Sequence, residues 1–280
     1  IEHGMIDVRA DSLTGGDVYL DFPTVTGTEN IMMAAVACRT TTRIMNAARE
    51  PEIEDLGRLL NAMGFHIDGA GTETVTILAG GHAQSATHRI IPDRIEAGTY
   101  AMAAAITGGC LTIENANPRH LTAVLTKLEQ AGMRVSVGAN SLSVDSIRPI
   151  RSLDLTTAVY PGYPTDLQAQ MMALMCLSEG ESLITEAIFE NRFMHVAELN
   201  RMGANISIRG RTAVVRGVES LLGAEVMATD LRASASLVLA GLAARDQTRI
   251  LRIYHLDRGY DDLVGKLTAV GADVERVSGA

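Results

Sequence analysis

Pro51-Glu52-Ile53-Glu54-Asp55-Leu56-Gly57-Arg58-Leu59-Leu60-Asn61-Ala62-Met63-Gly64 reads as one amphipathic helix with both ends marked. Pro51 suits the first helical position, where its missing N–H costs nothing, and Glu52, Glu54 and Asp55 lie at the positive end of the helix dipole. Leu56, Leu59, Leu60 and Met63 recur at i, i+3, i+4 and i+7 and predict one buried stripe. Gly64 then supplies the left-handed conformation that ends the helix.

The same device returns along the chain. Gly64, Gly132, Gly203 and Gly271 stand about 70 residues apart, so four copies of a supersecondary unit are expected rather than solenoid turns. Pro118 with Leu121, Val124, Leu125 and Leu128 repeats the first pattern, and Tyr260, Leu263, Val264 and Leu267 the last. Val135-Ser136-Val137 and Ile206-Ser207-Ile208 alternate as strands after their glycines, and two closing strands are expected in every copy. Each copy also holds a helix of small apolar residues, at 31–38, 99–106, 167–177 and 233–244. A helix apolar all round is buried on most sides, which places these four centrally with sheets outside them. The predicted class is α/β or α+β with mixed sheets.

Composition narrows the function. With 47% apolar residues the chain can fill a substantial core, and no apolar run approaches the roughly 20 residues needed to span a bilayer. A net charge of −9 argues against nucleic acid or an anionic membrane as partner, while a few local arginines can still hold a small anionic substrate. Cys38, Cys110 and Cys176 lack the spacing of a metal site or a disulfide framework and read as buried free thiols in a reducing cytoplasm. The chain opens on Ile1, and residues 1–8 read as a strand already under way, so a fragment or a processed chain is expected.

Chemistry is sought at the junctions ahead of the four apolar helices: Phe22-Pro23-Thr24-Val25, Pro92-Asp93-Arg94, Tyr163-Pro164-Thr165-Asp166 and Ala228-Thr229-Asp230-Leu231-Arg232. Thr and Asp there serve first as N-caps. Arg94 and Arg232 do not fit that account, because the helix dipole disfavours a cation at this end. Each looks placed for a carboxylate of a neighbouring repeat or for an anionic ligand.

The stretches Ala48-Arg49-Glu50-Pro51-Glu52, Pro92-Asp93-Arg94-Ile95-Glu96, Phe189-Glu190-Asn191-Arg192-Phe193-Met194-His195, Ala228 to Ser236 and Tyr254-His255-Leu256-Asp257-Arg258-Gly259-Tyr260 together resemble the UDP-N-acetylglucosamine 1-carboxyvinyltransferases, the MurA family, over essentially the whole chain. The resemblance implies an inside-out α/β barrel built from βαβαββ units in two domains, with the active site in the cleft between them. Residues 1–91 would be the remainder of the N-terminal domain, one repeat end plus one full repeat, with a hinge near Ile91. Residues 92–280 would be the C-terminal domain, lacking the N-terminal segment that completes it; the chain would thus be the C-terminal two-thirds of the enzyme. The implied reaction moves the enolpyruvyl group of phosphoenolpyruvate to the 3′-hydroxyl of UDP-N-acetylglucosamine and releases phosphate, the first committed step of peptidoglycan synthesis, in the cytoplasm and without a cofactor or metal.

Roles carry over residue by residue. Asp166 resembles the aspartate that contacts the sugar hydroxyls and is a candidate base, with capping of the helix near Leu167 as a second duty. Asp230 resembles a second active-site aspartate, with capping again as the plainer account. Arg258 resembles an arginine that grips phosphoenolpyruvate, for which the guanidinium fork is suited; a pair with Asp257 or Asp261 is the alternative. Arg232 and Arg94 match motif arginines less directly tied to chemistry. Phe22, Pro23, Thr24 and Val25 align with a loop that holds the nucleotide diphosphate at a helix N-terminus, although Asp21 and Phe22 stand where many relatives carry a cation. Ile188 matches a position whose backbone carbonyl accepts a hydrogen bond from the sugar nucleotide.

The cysteine that donates a proton in this family, on a mobile loop, precedes the equivalent of Ile1, and none of the three cysteines replaces it. The chain alone is therefore expected to bind ligand weakly and not to turn over. The N-terminal segment of the same protein is its expected partner. A UDP-sugar-binding fragment without catalysis, a structural repeat protein and a 3-phosphoshikimate 1-carboxyvinyltransferase-like enzyme stay open at this point.

Overall fold

The computed structural model describes Met5 and residues 7–277. Most of the strand expected over residues 1–8 lies outside the described residues; 7–13 hold no strand, and the first begins at Asp17. The chain divides into two compact units, Ile1–Ile91 and Pro92–Ala280.

The first unit runs β1 (Asp17–Tyr19), α1 (Val25–Ala35), β2 (Thr42–Met45), α2 (Pro51–Ala62), β3 (His66–Asp68), β4 (Thr74–Leu78). Its sheet has the order β1-β2-β4-β3, with β1 parallel to β2 and the other pairs antiparallel. Met32, Ile44, Ile53, Leu60, Ile67, Val75 and Ile77 fill the core. The buried face of α2 is Ile53, Gly57 and Leu60 with Leu56 beside them, while Leu59 and Met63 are only half-buried. The stripe is rotated from its expected position because the close packing is at Gly57, where an added Cβ would stand 2.5 Å from that of Ala70. A second correction concerns α1, which buries only Thr28, Met32 and Ala35 and leaves Met33 exposed. It packs on α2 and β2, and Ala34 beside Met33 is exposed as well.

The second unit continues α3 (Arg94–Thr107), β5 (Cys110–Glu114), α4 (Thr122–Gln130), β6 (Arg134–Val137), β7 (Ser141–Asp145), β8 (Leu155–Thr156), α5 (Gln168–Met175), β9 (Glu181–Thr185), α6 (His195–Arg201), β10 (Asn205–Arg209), β11 (Thr212–Arg216), β12 (Glu225–Met227), α7 (Leu231–Ala243), β13 (Arg249–Leu251), α8 (Leu263–Ala269), with 3-10 turns at Pro118–Leu121, Thr165–Leu167 and Ile253–Arg258. Here the inside-out arrangement is plain: α3, α5 and α7 pack on one another, and each carries its own sheet. All eight residues of α5 are buried, its two glutamines included.

The sheet β10-β11-β9-β8 repeats the topology of the first unit, a parallel outer pair followed by antiparallel ones. The other two copies are incomplete among the described residues. The second has β5-β7-β6 without an opening parallel strand, and the fourth has the parallel pair β12-β13 without closing strands, residues 272–277 being too short a run for a hairpin. No sheet closes into a barrel among the described residues. All four closing glycines take the left-handed conformation, with φ of 90°, 97°, 89° and 96° in chain order. The thiols differ from expectation: Cys176 is buried, Cys38 half-buried, and Cys110 exposed at the start of β5 on the outer edge of its sheet.

Candidate functional site

Three of the four junctions are capped as their residues predict. Thr24 Oγ1 accepts from Gly27 N at 3.3 Å, Asp93 Oδ1 from Ile95 N and Glu96 N at 2.7 and 3.1 Å, and Asp230 Oδ1 from Arg232 N and Ala233 N at 2.8 and 2.9 Å. Asp166 is the exception. It sits inside the 3-10 turn Thr165–Leu167, whose N-cap is Pro164, and its carboxylate caps no helix. Arg192 takes it instead: Arg192 Nη2 donates to Asp166 Oδ1 at 2.7 Å while Nη1 donates to Thr165 Oγ1 at 2.7 Å. A part-buried, charge-assisted bond of this kind contributes about 1.5–3 kcal/mol, enough to override a cap worth about 1.

Asp166 Oδ2 lies 3.7 Å from Arg232 Nη2 and accepts no hydrogen bond among the described residues. The carboxylate thus stands between an arginine of its own repeat, Arg192, and one of the next, and Arg232 has found the neighbouring carboxylate that its position called for. Side-chain exposures of 40% for Asp166, 19% for Arg192 and 14% for Arg232 leave the acid open to solvent and the cations largely enclosed. The Arg232 guanidinium also covers the Tyr260 ring at 5.6 Å, and its Nη1 is buried with no hydrogen-bond partner among the described residues. Tyr260 OH in turn meets Thr99 Oγ1 at 3.0 Å and receives Gln170 Nε2 at 3.3 Å, tying α3 and α5 to the segment after Arg258.

Arg192 was missed as a site residue, although the motif from Phe189 to His195 contains it; nothing adjacent in sequence names its partner. Its guanidinium lies 4.9 Å from the centre of the half-exposed Phe189 ring. His195, first residue of α6, is also new to the site. Burial pushes its imidazole down to about 4, with Asp230 opposing the fall and Arg192 adding to it, so it is neutral at pH 7. Its Nε2 has no partner among the described residues.

The other predicted residues are more separate. Arg94 begins α3 and lies 5.6 Å from the centre of the Tyr160 ring. Arg258 ends its 3-10 turn exposed, and neither alternative pairing holds: Asp257 is gripped at 3.0 and 2.6 Å by both terminal nitrogens of Arg276, and Asp261 lies 3.9 Å from Lys266. Among the described residues Arg258 makes no hydrogen bond or ion pair, so its fork is free. Ile188 lies in the turn after β9, its amide donating to Glu186 Oε1 at 2.8 Å.

In the first unit, Phe22 is exposed and Pro23, Thr24 and Val25 are half-buried around the start of α1. With Thr24 Oγ1 accepting from Gly27 and its carbonyl from Thr28, the amides of Val25 and Thr26 have no partner among the described residues. Such amides suit an anion. The described residues include no group of His, Cys, Asp and Glu able to hold a metal and no helix long and apolar enough to cross a membrane.

This arrangement has relatives. The family described as EPSP synthase (3-phosphoshikimate 1-carboxyvinyltransferase) matches residues 3–267. The UDP-N-acetylglucosamine 1-carboxyvinyltransferase of Geobacter metallireducens is 54% identical over 277 residues, 99% of this chain and 66% of that protein. UDP-N-acetylglucosamine 1-carboxyvinyltransferase 2 of Mesorhizobium japonicum is 56% identical over 279 residues, 99% of this chain and 67% of that protein. The chain therefore spans about two thirds of the curated relatives it matches. Among solved structures, the enolpyruvyl transferase NikO from Streptomyces tendae superposes with a TM-score of 0.82 at 29% identity, covering 95% of this chain and 66% of that one. An EPSP synthase from Acinetobacter baumannii, at 0.72 and 18% identity over 94% of this chain and 64% of that one, shares the fold.

Proposed function

The chain belongs to the EPSP synthase (3-phosphoshikimate 1-carboxyvinyltransferase) family, and from that premise we propose that it is the larger, C-terminal part of an enzyme that transfers the enolpyruvyl group of phosphoenolpyruvate to the 3′-hydroxyl of UDP-N-acetylglucosamine, releasing phosphate in the cytoplasmic supply of peptidoglycan precursors. The observation that carries this reading is the half-exposed Asp166 carboxylate, one oxygen held by Arg192 and the other open beside Arg232.

The chemistry follows from those groups. Addition across the double bond removes the proton of the hydroxyl and delivers one to the methylene carbon; elimination then expels phosphate. Asp166 Oδ2 takes the hydroxyl proton, while Arg192 fixes the carboxylate's orientation and Arg232 offsets negative charge beside it. Arg258, with an uncommitted fork, binds the carboxylate or phosphate of phosphoenolpyruvate. Asp230 holds its Oδ1 in the cap of α7 and offers Oδ2 to the reacting groups. In the first unit the free amides at Val25 and Thr26 and the Thr24 hydroxyl receive the diphosphate.

No thiol here suits the role of acid toward the methylene carbon. Burial pushes Cys176 up to about 12, and neither Cys38 nor Cys110 belongs to the cluster around Asp166. We therefore propose that these 280 residues alone bind the sugar nucleotide without turnover, the acid coming from the N-terminal segment that the family resemblance places ahead of Ile1. The family's descriptive name favours one other reading, phosphoshikimate as acceptor. The relatives above 50% identity are named for the UDP-sugar instead, which ranks that acceptor first. Calorimetric titration of the chain with UDP-N-acetylglucosamine and with 3-phosphoshikimate tests the choice: saturable heat from the sugar nucleotide alone is expected, and preference for the phosphorylated carbocycle overturns it.

A further inference from the structure

Glu186 follows the last residue of β9 and is 1% exposed, yet it carries a carboxylate in the wall of the site. Burying a carboxylate is tolerable only when its oxygens are met by donors. Four reach it: Thr157 Oγ1 donates to Oε1 at 2.6 Å, the amides of Ile188 and Phe189 donate to the same oxygen at 2.8 and 3.0 Å, and Thr165 Oγ1 donates to Oε2 at 2.7 Å. The hydroxyls are used at both ends. Thr157 Oγ1 accepts from Ala187 N at 2.8 Å, and Thr165 Oγ1 accepts from Arg192 Nη1 at 2.7 Å. One side chain therefore joins the turn bearing Ile188 to the turn bearing Asp166, and through Thr165 it also sets the arginine that holds Asp166.

We propose that Glu186 is a positioning residue for the acceptor sugar: its carboxylate fixes the spacing between the Ile188 peptide and the Asp166 carboxylate, so that one sugar ring is gripped at both. This rests on the functional reading above, in which Ile188 and Asp166 face the sugar nucleotide. A carboxylate is needed because all four neighbours donate. An amide at this position would turn its NH2 group toward a neighbour that now donates, either against a backbone N–H or forcing the Thr165 hydroxyl to accept and give up the bond it donates to the carboxylate. The first-unit loop at Thr24 has no part in this network, so recognition of the nucleotide diphosphate and of the sugar are separable.

The test is calorimetry on the parent chain and on Glu186→Gln, with UDP-N-acetylglucosamine and UDP as ligands, alongside amide exchange at Ile188 and Phe189. Expected are a loss of ten-fold or more in affinity for the sugar nucleotide, an unchanged affinity for UDP, and faster exchange at both amides in a protein that still melts cooperatively. A general structural role would weaken both ligands together, and that result overturns the proposal. Unchanged binding of the sugar nucleotide with the exchange rates raised also overturns it. If Glu186→Gln does not fold, Thr165→Val, which cuts only the arm to Asp166, takes its place with the same split expected. Failure of the parent chain to bind UDP-N-acetylglucosamine contradicts the functional reading itself and takes the positioning role with it, whereas a binding parent with an indifferent variant removes the positioning role alone.

Discussion

His195 begins α6 with its imidazole shut away from solvent, and its proton affinity makes a test of the packing around Asp230 and Arg192. Its pKa falls from the ordinary 6.5 to about 4. Between these two values the unfolded chain binds a proton that the folded chain refuses, so this contribution to stability is full above pH 6.5 and is lost as the pH falls toward 4. Such a gap in proton affinity between the folded and unfolded chain is worth roughly 3 kcal/mol. Denaturant titrations of the parent and His195→Gln at pH 7, 5.5 and 4 are expected to show the parent losing more of its stability than the variant; parallel losses would contradict the assignment. Arg258 is the opposite kind of residue, exposed and without a described partner. Arg258→Ala should leave the melting temperature unchanged, within about 0.5 kcal/mol, while weakening phosphoenolpyruvate binding at least ten-fold in the reconstituted enzyme. A loss of stability with unchanged affinity would make it a structural residue. At this scale the sequence singled out Asp166, Arg232 and Asp230 through motif position. It hid Arg192 and Glu186 because the side chains they bond, Asp166, Thr157 and Thr165, are more than twenty residues away along the chain.

Caps and stripes were the legible part of the elements. Thr24, Asp93 and Asp230 cap α1, α3 and α7 because each precedes its helix and its oxygen can reach the first free amides. Asp166 could not be assigned by the same rule, since a long-range guanidinium competes for its carboxylate, and periodicity carries no information about such a competitor. The α2 stripe was rotated for a related reason: it was read from leucines, while the close approach occurs at Gly57. Two substitutions separate capping from chemistry. Asp93→Ala is expected to cost about 1 kcal/mol in thermal or chemical unfolding. Asp230→Asn keeps an equally good cap and should leave stability within about 0.5 kcal/mol, yet lower turnover of the reconstituted enzyme about a hundred-fold or more if Oδ2 acts on the reacting groups. Retention of full turnover by Asp230→Asn would reduce that aspartate to a cap.

Across the whole molecule, duplication explains why so much of the fold could be read from four glycines, and why two of the copies could not be. A repeat detected through one amphipathic helix says nothing about strands at its edges, and the second and fourth copies lack edge strands among the described residues. Net charge does not describe the local field at this scale. A chain at −9 gathers Arg192 and Arg232 around one open carboxylate and leaves Arg258 unpaired among the described residues, the local positive charge that the proposed anionic substrates call for. The most direct measurement is phosphate release from phosphoenolpyruvate and UDP-N-acetylglucosamine, by the chain alone, by the chain with the N-terminal segment supplied separately, and by that mixture carrying Asp166→Asn. Release from the unmodified mixture only is the predicted result. Release from the chain alone, or none from a mixture that still binds the sugar nucleotide, would contradict the account.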